Sequence, residues 1–133
     1  MGMAVYDKGF AEVMESDTGY TMFTTFWDDF AIAERMGIGV QNGCYVPVNL
    51  KRGIAAIQDT YNRAFKEWRS DYKYLTELVM VLNSKAKRFS SMSEVANIPE
   101  YCELYTELYY KADNWATSNL KGKEYEYYYK TTN

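Results

Sequence analysis

The sequence predicts an all-α protein, a small bundle of three to five helices with a long irregular loop near residues 37–53. Three observations lead there. Between Gly53 and Pro99 the chain contains neither glycine nor proline, the residues that most readily interrupt a helix. Apolar residues in that span, and again after Pro99, recur every three or four positions, which is the spacing of one helical face. Residues 37–53 instead hold four of the eight glycines and one of the two prolines.

Taking the elements in order, the N-terminal arm of about residues 1–20 suits either a short helix or a strand-like segment. From Thr25, "TTFWDDFAIAERMG" offers a hydroxyl N-cap, acidic residues in the first turn and Gly37 as a stop. Phe26, Phe30, Ala33 and Met36 fall toward one face of that helix. In "GIGVQNGCYVPVNLKRG" the chain leaves helix, with Val46 and Val48 flanking Pro47 in a short extended or edge segment. Loops this long in a small domain are more often functional than short ones.

Two helical series follow. Ile54, Ile57, Tyr61, Ala64 or Phe65, and Trp68 form the first; Tyr72, Leu75, Val79, Leu82, Ala86 and Phe89 form the second. They are out of register by one residue around "WRSDY". A single unbroken helix would run roughly 54 Å, longer than so small a domain is wide. We therefore expect a break, with Ser70 capping the second helix. That helix also carries Tyr74, Leu78 and Val81 on a neighbouring face and should be the most buried element. After the connector "SSMSEVANIPE", Pro99 suits a first turn. Tyr101, Leu104 or Tyr105, Leu108, Ala112 and Trp115 make the inner stripe of the next helix, and Gly122 ends it. The tail "KEYEYYYK" fits a strand by alternation or one helical turn by Tyr125, Tyr128 and Tyr129.

With 133 residues, 47% of them hydrophobic and 25% charged, the chain has the makeup of one globular domain spanning 1–133. Its longest wholly apolar run, Leu78 to Leu82, falls far short of the roughly 20 residues that cross a bilayer. The opening residues have neither the basic start nor the apolar stretch of a secretory signal, so a cytoplasmic location with two reduced thiols is expected. The formal charge of -3 divides into -5 over residues 1–50, +5 over 51–88 and -3 over 89–133.

Residue types exclude much chemistry. There is no histidine, which removes the commonest general base and the usual zinc ligand. Cys44 and Cys102 are too far apart for a C-x-x-C pair. Gly37, Gly39 and Gly43 miss the dinucleotide-binding glycine spacing by one, and no G-K-[ST] follows. Asp28 and Asp29 are adjacent and so point different ways on a helix. Glu100, Glu103 and Glu107 share a face but have no histidines to complete a metal set, and they read as a solvated acidic face. No enzymatic activity, cofactor or metal is expected.

Two surfaces stand out. The basic segment 51–88 ends in Lys85, Lys87 and Arg88, a candidate contact for nucleic acid, although cations there also complement the helix dipole. The other is aromatic: eight of the fourteen tyrosines lie between Tyr101 and Tyr129. Tyr101, Tyr105 and Tyr109 form a stripe at i, i+4 and i+8, and Tyr110 with the run Tyr127, Tyr128 and Tyr129 exceeds what one core margin hides. Tyrosine buries its ring while keeping its hydroxyl wet, so this surplus points to a contact surface for a protein partner or a second copy.

The blocks "TMFTTFWDDFAIAERMG", "GIAAIQDTYNRAFKEWRSDYKYLTELVMVLNSK" and "ELYTELYYKADNWATSNLKGKEYEYYYKTTN" resemble a family of short, uncharacterised helical proteins encoded on mobile elements and phages of gut bacteria. The resemblance covers most of residues 21–133, and "GVQNGCYVPVNLKR" looks like an insertion relative to it. It implies a bacterial cytoplasmic setting and an accessory role, and carries no active-site residue; an inhibitor that blocks a host defence enzyme by presenting acidic surface is a further reading that fits it.

Overall fold

The computed structural model describes the backbone of residues 18–133 and the side chains of residues 25–133. Among the described residues five helices and one hairpin run in the order α1 (Thr18–Glu34), β1 (Ile38–Gln41), β2 (Cys44–Pro47), α2 (Leu50–Trp68), α3 (Tyr72–Arg88), α4 (Pro99–Asn119) and α5 (Gly122–Thr132). The all-α bundle is as the periodicity implies. α3 is its centre and packs against all four other helices. Eight of its residues are buried, including Leu75, Leu78, Val79, Val81 and Leu82, because its two adjacent apolar faces require neighbours on more than one side.

Several boundaries differ from the sequence reading. Helix α1 begins at Thr18, so Thr25 lies inside it rather than capping it; no glycine or proline between Gly19 and Gly37 stops the helix from propagating back. The N-terminal arm otherwise falls outside the described residues. Asp71, not Ser70, caps α3, its carboxylate accepting from the amides of Lys73 at 3.1 Å and Tyr74 at 3.4 Å. Asn49 caps α2 in the same way through the Arg52 amide, which places Gly53 within that helix. Gly122 opens α5 with a φ of +59° rather than ending α4, and the tyrosine-rich tail is helical.

The irregular loop is largely a β-hairpin. Gln41 pairs with Cys44 and Ile38 with Pro47 in an antiparallel register. The turn residues Asn42 and Gly43 have φ of +54° and +78°, the left-handed pair that a two-residue hairpin turn needs, and Asn-Gly is the sequence that adopts it most readily. The Tyr45 amide donates to the Val95 carbonyl at 2.8 Å, tying the hairpin to the α3–α4 connector.

Gly37 and Gly53 make the junction of α1, α2 and α4 possible. A Cβ on Gly53 would lie 1.8 Å from the Tyr101 hydroxyl and 3.0 Å from the Gly37 Cα. The two glycines thus let the backbones of α2 and the end of α1 close around the tip of Tyr101. Replacing a helical glycine by alanine ordinarily stabilises by about 0.5–1 kcal/mol. Here Gly53→Ala is expected to destabilise by about 1–3 kcal/mol in urea unfolding, because Tyr101 must be displaced; a gain in stability would contradict this packing.

Candidate functional site

The most concentrated polar chemistry in the described residues is buried where α1, α3 and α4 meet. Glu34, the last residue of α1, is 4% exposed and Lys85 of α3 is 1% exposed. The Lys85 Nζ lies 3.0 Å from Glu34 Oε2 and 3.3 Å from Oε1, and 3.8 Å from the centre of the Trp27 ring. From α4, the Tyr105 hydroxyl donates to Glu34 Oε2 at 2.5 Å and the Tyr101 hydroxyl donates to the Glu34 carbonyl at 2.8 Å. Phe89 closes the back of the site, edge-on to Tyr101 and stacked on Tyr105, and Phe30 meets Tyr105 edge-on.

Each partner's ionisation reflects this enclosure. Burial pulls the Lys85 ammonium below its usual pKa, opposed by the Glu34 charge and hydrogen bond. Burial, and then the Glu34 carboxylate, push Tyr105 well above the usual phenol range and Tyr101 up to about 12. The set holds an acid, a base and two hydroxyls, but these groups face one another and are shut away from solvent. Their chemistry is mutual: a buried carboxylate with an ammonium and a phenol as donors.

This cluster corrects the reading of three site residues. Tyr101 and Tyr105 are fully buried and cannot belong to an exposed contact stripe, because the rings that lean beside Leu104 and Leu108 are drawn in by the polar atoms of Glu34. Lys85 is no surface cation for nucleic acid. Of its neighbours, Lys87 is exposed, while Arg88 is half-buried with its guanidinium over the Tyr45 ring at 5.6 Å, so the three do not form a surface cluster. A signal was present in the sequence: Leu78, Leu82 and Lys85 share a helical face, as do Phe30 and Glu34. An apolar face in each of two helices therefore carries one charge, of opposite signs.

The remaining tyrosines divide between packing and surface. Tyr128 is buried, and its hydroxyl donates to Asp113 of α4. Burial, then that carboxylate, raise its pKa. Tyr127 is half-buried against Tyr72, edge-on at 5.3 Å. Tyr109 is half-buried and meets Tyr110 at 5.1 Å. Tyr110 is 57% exposed, as are Tyr129 at 55% and Tyr125 at 37%, the last two stacked on each other. Tyr109 and Tyr125 both lie within electrostatic reach of the Tyr128 hydroxyl, which links the two pairs across the α4–α5 seam. Of Tyr125 and Tyr129, only Tyr125 lies outside the surplus that the sequence points to; its (i, i+4) spacing to Tyr129 on a helical tail carries that information.

Other candidates are ordinary surface or packing. Glu100, Glu103 and Glu107 are exposed, and among the described residues no group of three potential ligands could hold a metal ion. Both cysteines are free and half-buried. Met36, placed inward by periodicity, is 45% exposed and with Ile32 borders an open groove between α1 and α2, because α1 ends two residues earlier. No helix among the described residues is long and apolar enough to cross a membrane. No protein-family model, curated protein or solved structure matches the chain.

The buried phenols make alkaline pH the direct probe of this region. Tyr61 and Tyr101 have folded-state pKa values near 12 against an ordinary 10. Below pH 10 their contribution is complete; as pH rises from 10 toward 12 the unfolded chain ionises first and stability falls. Tyrosinate absorbance from Tyr61, Tyr101, Tyr105 and Tyr128 should therefore appear together with loss of helical circular dichroism. Ionisation of every tyrosine with the helices still intact would contradict it.

Proposed function

We propose that this is a non-enzymatic helical interaction protein whose contact surface is the tyrosine-bearing seam between α4 and α5. The observation that carries the reading is the exposure of Tyr110, Tyr125 and Tyr129 in ring contacts after the core has taken Tyr101, Tyr105 and Tyr128. Exposed tyrosines held by ring contacts offer large contact area with few rotamers left to freeze on binding, the property that makes this residue a frequent interface anchor.

The surroundings fit a protein surface better than a small ligand. Lys123, Glu124, Glu126 and Lys130 ring the α5 tyrosines with both charge signs, and Glu126 pairs with Lys130 at 3.1 Å. A mixed polar rim around an aromatic centre is the anatomy of a protein contact. An accessory role in a cytoplasmic, mobile-element setting, as the sequence resemblance implies, belongs to the same proposal.

The test combines light scattering over a range of protein concentrations with crosslinked capture from a bacterial lysate. Substituting Tyr110, Tyr125 and Tyr129 by serine should abolish the self-association or partner capture seen with the unsubstituted chain while circular dichroism stays unchanged. Association that survives all three substitutions would overturn the assignment.

A further inference from the structure

We propose that a small cleft beside the buried ion pair binds a compact oxyanion, a phosphate or carboxylate group, through Arg35 and Arg88. The cleft measures about 60 Å³ and is bordered by Trp27, Glu34, Arg35, Tyr45, Lys85 and Arg88. That is room for one such group and too little for a nucleotide base beside it.

Two cations that border this cleft have no ionic partner among the described residues. Among the described residues the basic side chains in ion pairs are Arg63, Lys85 and Lys130. Arg35 and Arg88 are in none. Lys85 is answered by Glu34, and Asp28 lies within electrostatic reach of Lys85 at the margin. The three cations of the region thus face two carboxylates, so the cleft is locally positive in a chain whose net charge is -3.

Arg88 is half-buried and its guanidinium lies over the Tyr45 ring. A guanidinium partly removed from water gains most from an anion that takes two of its donors at once. The aromatic walls of Trp27 and Tyr45 lower the polarity around that contact and strengthen it. The hairpin brings Tyr45 here through its bond to Val95, which gives the segment 38–47 a role independent of the tyrosine seam.

The experiment follows the Arg side-chain N–H and Trp27 indole N–H resonances by NMR during titration with sodium phosphate, sodium acetate or sodium chloride at fixed ionic strength. Saturable shifts with phosphate or acetate but not chloride are expected, and the more effective anion identifies the group. Arg88→Gln and, separately, Arg35→Gln should each weaken that binding about tenfold or more, with circular dichroism unchanged. Arg35 is exposed, so its variant remains informative even if Arg88→Gln disturbs the fold. Shifts identical in all three salts, or saturation indifferent to both substitutions, would overturn the proposal.

Discussion

A carboxylate taken out of water has to be surrounded by donors, and Glu34 obtains them from two other helices. Lys85 comes from the centre of α3 and Tyr105 from α4, while Tyr101 holds the carbonyl of the same residue. Hydrophobic burial alone is tolerant of small rotations and slides between helices. A buried charge is not, because losing a partner leaves an ion desolvated without compensation. The three-way bond set therefore fixes how α1, α3 and α4 sit, and other features of the fold follow from it. Gly37 and Gly53 must be glycine because the Tyr101 hydroxyl that reaches Glu34 occupies the space a Cβ would need.

The same constraint divides the tyrosines. Among the tyrosines of α4 and α5, Tyr101 and Tyr105 reach buried Glu34 and Tyr128 reaches half-buried Asp113, and these three are core residues; each brings a ring's worth of apolar area and one satisfied donor. Tyr110, Tyr125 and Tyr129 have no such acceptor among the described residues and stay at the surface, in ring contact with Tyr109 and with each other. The aromatic surplus is thus graded: Tyr101, Tyr105 and Tyr128 are buried and bonded, Tyr109 and Tyr127 are half-buried, and Tyr110, Tyr125 and Tyr129 are exposed.

Much of this was legible in the sequence. The apolar series of α3 and α4 located most of the core, because 3.6-residue periodicity survives whatever the partners are, although Tyr72, Tyr74 and Trp115 are only half-buried and Ala116 is buried in place of Trp115. Pro99 marked the start of α4, and the one-residue slip at "WRSDY" marked the α2–α3 break. The hairpin was written in "QNGC" but was obscured by neighbouring glycines, which read equally well as irregular chain. The Glu34–Lys85 pair was the larger omission. The two residues stand 51 positions apart, so no local rule joins them; only a charge on an apolar face in each helix hints at it. Whether a given tyrosine on α4 faces in or out turns on that same long-range partner, which is why the stripe 101–105–109 could not be divided from sequence.

The direct test of Glu34 as the organising residue is a double-mutant cycle with Glu34→Gln and Lys85→Met, read by urea unfolding. Each single substitution should cost about 3–5 kcal/mol, and the double should cost clearly less than their sum, because removing both charges leaves neither ion uncompensated. Single costs below about 1 kcal/mol that simply add would place the pair among ordinary surface ion pairs and contradict the account.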